Sequence, residues 1–174
     1  MNYKLLVGLF LENLLFGCAS VGPFELAPKD WQAYKIEQKG FMDNPDINIK
    51  LKYPPTWKAE PAYGTRGHLS YPVSGDKAGS ATIYIGCLVK PEGVTYYRFA
   101  VDTYKELNIS NLSYTSINGG QAMVYSNIGN NRTGKILLVD AGDNMLLITV
   151  SSYESSLITK QMPTVDSILQ TIKW

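Results

Sequence analysis

His68 and Cys87 are the side chains of this 174-residue chain best suited to nucleophilic and acid–base work. A thiolate beside an imidazole attacks carbonyls, but it needs an electropositive, partly open site. Cys87 lies in an apolar, β-branched run, where cysteine behaves as a small hydrophobe. A hydrolase built on Cys87 is therefore the weakest of three functional readings. A second group of residues suits recognition. Tyr63, Arg66, His68 and Tyr71 crowd into a Gly/Pro-punctuated stretch, 59–80, with Trp57 just before it. Aromatic and cationic side chains on a long loop bind ligands or partners. The expected ligand-binding set is thus Trp57, Tyr63, Arg66, His68 and Tyr71. Asp43, Asn44, Asp46 and Asn48 make an oxygen-rich turn. It lacks the glycine and spacing of an EF-hand loop, so turn chemistry is expected and no metal site. No GxGxxG, Walker A, HExxH, CxxC or GxSxG motif occurs. The expectation is a non-enzyme with no catalytic residues and no cofactor.

Composition narrows the classes. The length suits one domain. Hydrophobic residues are 45% and charged residues 18% of the chain, a globular balance. A formal net charge of +1 leaves no footprint for nucleic acid. No polybasic run is visible in the sequence.

The N-terminus carries a different signal. Lys4 precedes the apolar run Leu5–Leu11, and Leu14-Leu15-Phe16-Gly17 leads to Cys18. The run is too short for a spanning helix, which takes about 20 apolar residues. It fits a signal-peptide core of roughly 7–15 residues; the rival reading makes Leu5–Phe16 a buried element of the domain. Leu15-Phe16-Gly17-Cys18 resembles the lipobox of bacterial lipoproteins. That resemblance implies cleavage before Cys18, a diacylglyceryl group on its thiol and an acyl chain such as palmitate on its amine. It also leaves Cys87 without a disulfide partner. The expected organisation is a signal peptide over 1–17, a tether over 18–29 containing Pro23 and Pro28, and a globular domain over 30–174.

The elements that position these residues follow from periodicity. Ile47-Asn48-Ile49-Lys50-Leu51-Lys52-Tyr53 alternates cleanly and predicts a strand, ended by Pro54-Pro55. Trp57 is expected to cap the core. Ala81–Val89 predicts a second strand. Val94, Tyr97, Val101, Tyr104 and Leu107 recur at helical spacing and predict a helix with that stripe in the core. Leu112–Ile117, Asn118-Gly119-Gly120 and Gln121–Ile128 predict a hairpin. Strands over Gly134–Asp140 and Met145–Ser152 continue a meander. A C-terminal helix is expected, capped by Ser155 or Ser156 and kinked or split at Pro163.

Three patches in this order resemble the PsbP-like superfold, named for an extrinsic protein of photosystem II and shared with a small Ran-GTPase-binding protein. They are Gly40-Phe41 with Ile47–Tyr53 and the Pro54-Pro55–Trp57 corner, then Ala81–Val89 with the helix after it, then Asp166-Ser167-Ile168-Leu169 ending in Ile172-Lys173-Trp174. The resemblance implies an α+β domain, a central antiparallel sheet with helices on both faces (an α/β/α sandwich). It also includes bacterial lipoproteins, in agreement with Cys18. It carries over no site residue, since a fold hosts unrelated functions. The leading expectation is a lipoprotein of the bacterial cell envelope, anchored through Cys18 on the non-cytoplasmic side (at the outer membrane in a Gram-negative cell). It would act without catalysis by binding a protein partner or assisting assembly. The alternative is a small-ligand-binding lipoprotein using the 59–80 loop.

Overall fold

A computed structural model describes Phe24 and residues 27–39, 46–71, 80–103, 112–126 and 133–174. Cys18, Asp43 and Asn44 lie outside the described residues, as do Tyr104 and Leu107 of the expected helical stripe. Among the described residues are nine strands and two helices. The strands are β1 (Gln32–Gln38), β2 (Ile47–Tyr53), β3 (Lys58–Tyr63), β4 (Arg66–Tyr71), β5 (Ala81–Val89), β6 (Leu112–Ile117), β7 (Gly120–Ser126), β8 (Thr133–Ala141) and β9 (Asn144–Ser152). The helices are α1 (Tyr96–Thr103) and α2 (Ser155–Gln170).

β1 and β2 pair as a two-stranded sheet. The other seven strands form one antiparallel sheet in the order β3-β4-β5-β9-β8-β7-β6. Alternation sets which side chains go inward. Tyr34 and Ile36 from β1, with Ile47, Ile49, Leu51 and Tyr53 from β2, pack on one face of the large sheet. They meet Leu69, Ile83, Ile85, Cys87, Ile148 and Val150 there. α2 covers the rest of that face with Ile158, Val165, Ile168 and Leu169. Burying an aliphatic side chain contributes about 1.5–3 kcal/mol, so this layer dominates the stability. Between the two sheets the chain turns a corner at Pro54-Pro55, closed by the Trp57 amide donating to the Pro54 carbonyl at 2.9 Å. Trp57 itself is 2% exposed and fills the core.

The expected helix-flanked sandwich is corrected here. The covering layer on the first face is a hairpin plus one helix, and only α2 packs along the sheet. On the second face Met123, Tyr125, Leu138 and Met145 form a smaller cluster with Ala100 of α1. α1 is eight residues long and does not make a layer. The domain is therefore mostly a large antiparallel sheet covered unequally. The cause is visible in the composition of the second face. Its β6–β8 half is apolar; its β3–β5 half carries Glu60, Arg66, His68 and Tyr84, and neither described helix lies over it.

Local differences have local causes. Tyr96, Phe99, Ala100 and Val101 of α1 pack in the second-face cluster, so Val101 of the expected stripe faces inward, while Tyr97 is 59% exposed. The Tyr96 hydroxyl donates to the Leu138 carbonyl and accepts from the Met123 amide, which holds Tyr96 inward in place of Tyr97. α2 runs unbroken through Pro163. Its N-cap is Glu154, with no side-chain cap bond, in place of Ser155 or Ser156. Beyond α2, Lys173 pairs with Lys50 through two main-chain bonds of 2.9 and 2.7 Å, which ties the C-terminus to β2.

Candidate functional site

The 59–80 stretch is not a loop over its first part. Residues 58–71 form the β3–β4 hairpin, and 72–79 lie outside the described residues. β3 is an edge strand, so Pro61, which lacks an N–H, is tolerated there. A register shift between Glu60 and Tyr63 bends the edge. Gly67 of β4 lies under β1. A Cβ at this position would come within 2.6 Å of Ile36 and 2.7 Å of Tyr34. Glycine is there because another strand passes over it.

Strand alternation divides the expected ligand set between two faces. Trp57 and Tyr71 belong to the first face, with ring centroids 6.0 Å apart. His68 points to the second face, where its ring lies on Tyr84 at 4.2 Å with planes 2° from parallel. Arg66 shares the His68 side of β4, and Tyr63 stands at the hairpin tip, 87% exposed. The structure thus brings together Tyr63, Arg66 and His68 and separates them from Trp57 and Tyr71. It adds Tyr84, which sequence reasoning passed over. The signal was present in the alternation of Ala81–Val89, where Tyr84 falls out of phase with Ile83 and Ile85.

The geometry around His68 is ordered. Glu60, His68 and Tyr84 are direct cross-strand neighbours in one row, continued by Thr149, Ile136, Tyr125 and Leu112. His68 Nδ1 is 3.1 Å from Glu60 Oε2. Its Nε2 is enclosed and has no partner among the described residues. From beneath, the Tyr34 hydroxyl donates to the Glu60 carbonyl at 2.7 Å and accepts from the His68 amide at 3.3 Å. Burial raises the Tyr34 phenol above its ordinary range. Beside Tyr84 on the same face is Gly86, directly across from Arg66. A Cβ built on Gly86 would meet only the Leu147 carbonyl, at 3.9 Å. The floor next to Arg66 and Tyr84 is therefore open backbone.

This arrangement suits contact better than catalysis. Cys87 faces the opposite side of the sheet from His68, so the nucleophile pair does not form. Burial pushes the Cys87 thiol up to about 11, which leaves it protonated and inert at neutral pH. Asp46 of the oxygen-rich turn pairs with Lys39 at 2.7 Å. Among the described residues no group of carboxylates, histidines and cysteines clusters as a metal site would. No helix among them is long and apolar enough to cross a membrane.

No protein-family model and no curated protein matches the sequence. Solved structures do match. Cyanobacterial PsbP (CyanoP) from Synechocystis sp. PCC 6803 aligns over 85% of this chain and 94% of its own, with TM-score 0.53 and 12% identity. The fold is PsbP-like. A protein from Bacteroides thetaiotaomicron aligns over 72% of this chain with TM-score 0.51 and 11% identity, and this chain spans 44% of its length. LpqN of Mycobacterium tuberculosis, involved in cell envelope biogenesis, aligns over 82% of this chain and 90% of its own, with TM-score 0.49 and 16% identity. The two matches with TM-scores above 0.5 show the fold alone, and at such identities no site residue is transferred. Within the PsbP-like domain, the Tyr63–Arg66–His68–Tyr84 face stands on the geometry above.

Proposed function

We propose that this chain is an envelope lipoprotein anchored through Cys18, and that its PsbP-like domain is a non-enzymatic binding module for a protein partner. The observation that carries the binding role is the β3–β5 half of the second face, over which none of the described helices lies. Tyr63 and Tyr84 are 87% and 46% exposed, beside Arg66 and over the open floor at Gly86. Tyrosine and arginine are the residues that supply most binding energy at protein interfaces. The tyrosine rings present large contact area with few rotatable bonds, so little entropy is lost on docking. The stack with His68 limits Tyr84 further. The lipobox-like stretch Leu15–Cys18 supports the anchor.

The test is capture of the membrane-attached form from detergent-solubilised envelope, wild type against Y63A/Y84A. A partner held in near-stoichiometric amount by the wild type and lost from the double variant supports the reading. Identical captures from both contradict it. Trp57 and Tyr71 face away from His68, so no single observation favours the small-ligand alternative.

A further inference from the structure

Two neighbouring rows cross β3, β4 and β5 on the second face. In one, His68 has Glu60 on one side at 3.1 Å and the Tyr84 ring on the other at 4.2 Å, so both seats beside it are filled. In the next, Arg66 has Tyr63 on one side and Gly86 on the other. The Cys87 amide donates to the Thr65 carbonyl at 3.1 Å, so Arg66 and Gly86 form the non-hydrogen-bonded pair that follows. Opposed side chains approach most closely in such a pair. A side chain at 86 would therefore stand against Arg66, and the seat is empty. A glycine inside a strand marks a bulge, a bend or a place where something approaches closely. Gly86 pairs in unbroken register with Arg66 and with Leu147, so it is no bulge. Gly67 has β1 over it, but among the described residues only the Leu147 carbonyl, at 3.9 Å, would meet a Cβ on Gly86. Arg66 is exposed and forms no ion pair among the described residues, while the Glu60 carboxylate of the adjoining row is committed to His68.

We propose that the seat over Gly86 takes the carboxylate of an acidic side chain, glutamate or aspartate, of the protein partner. The proposal rests on the binding reading of this face and names the chemistry it selects. A guanidinium offers its donors as a planar fork that matches the two oxygens of a carboxylate. The remaining walls are the Tyr84 ring and the half-buried Leu88 and Leu147, all described residues. Apolar walls keep water from the pair once the seat is covered, and the charge-assisted bonds are stronger there. Tyr63 and Tyr84 flank the seat, so a surface that covers both encloses it. The acid then comes from within that surface, as a side chain, and not from the end of a chain. The tyrosines supply contact area; the carboxylate selects which surface docks.

The test reads the binding role and the carboxylate separately, in freshly broken cells. A photo-crosslinking amino acid at Tyr63 reads the binding role. R66K places a primary amine at the seat, and a carbodiimide joins an amine to a touching carboxylate with no spacer. The expected product is an isopeptide bond from position 66 to a glutamate or aspartate side chain of the protein captured through position 63. A bond to that protein's C-terminal carboxylate overturns the side-chain assignment. No bond at 66, with the same protein still captured through position 63 of the R66K chain, overturns the carboxylate and leaves the binding role standing. No capture through position 63 of the otherwise wild-type chain overturns both. With the captured protein in hand, R66Q is expected to bind it about 10- to 150-fold more weakly, the range for a hydrogen-bonded charge. R66K keeps the charge without the fork and is expected to fall between R66Q and wild type. Unchanged urea midpoints show that neither variant acts through folding. Equal affinity of R66Q and wild type, or R66K no better than R66Q, overturns the proposal.

Discussion

The imidazole of His68 lies flat on the phenol of Tyr84, centroids 4.2 Å apart and planes 2° from parallel. Direct pairing of the two residues across β4 and β5 produces this contact. Glu60 holds the imidazole from the other side at 3.1 Å. The row fixes an exposed tyrosine in one orientation before any partner arrives. Removing His68 should therefore cost binding more than folding. For H68A we expect partner affinity to fall by about 1–2 kcal/mol. Loss of the cross-strand pair should cost stability about 1 kcal/mol or less. Urea denaturation and a binding isotherm on the same preparation check the two numbers.

Gly86 gives a sharper separation. Its absent side chain opens the floor beside Arg66, and nothing closer than 3.9 Å would meet a Cβ there. Glycine weakens a strand interior, and β-branched residues strengthen it on a scale of about 1 kcal/mol. Gly86→Val should therefore hold or raise the melting temperature. It should still weaken partner binding, because the new side chain fills the notch. A stable variant with undiminished binding would remove Gly86 from the interface.

Gly67 is the opposite case. A Cβ there would press on Ile36 and Tyr34, side chains of a strand packed above it. Gly67→Ala should destabilise the fold by about 1–3 kcal/mol, read as a lower urea midpoint.

On the second face the hydroxyl of Tyr96 bridges Leu138 and Met123. Tyr96→Phe leaves an enclosed amide and carbonyl without this partner. The expected cost is about 1–3 kcal/mol for each group left unsatisfied, the lower figure where water reaches it.

High pH should weaken the fold for a stated reason. Burial raises the Cys87 thiol from 9.0 to about 11 and the Tyr96 phenol from 10.0 to about 12. Between those values the unfolded chain has released protons that the folded chain still holds. The contribution of both groups is full below pH 9 and is lost as pH rises through 9 to 12. Stability measured against pH should fall above about 9, and Cys87→Ala should remove the first part of that fall. Slow labelling of Cys87 by a thiol reagent in the folded protein at neutral pH checks the same burial independently.

Much of the sheet was legible from the residues. Ile47–Tyr53 and Ala81–Val89 alternate, and Asn118-Gly119 adopts the left-handed backbone (φ 44° and 85°) that joins Leu112–Ile117 to its neighbour. β1, β3 and β4 were not legible. β1 carries only Tyr34 and Ile36 inward, flanked by charges. Pro61 and Gly67 helped make the 59–80 stretch look like a loop. Both are consequences of packing: Pro61 sits on an edge strand of the described sheet, and Gly67 makes room for β1. The candidate face suffered from the same gap, because without β4 no alternation separates His68 from Tyr71.

The most direct measurement of the binding role places a photo-crosslinking amino acid at Tyr63, at Tyr84 and at Tyr114 in turn, in cells. Tyr114 is 65% exposed on β6, the opposite edge of the same sheet. The account predicts one and the same protein adduct from positions 63 and 84 and none from 114. Adducts shared with position 114, or no adduct from 63 and 84, would contradict it.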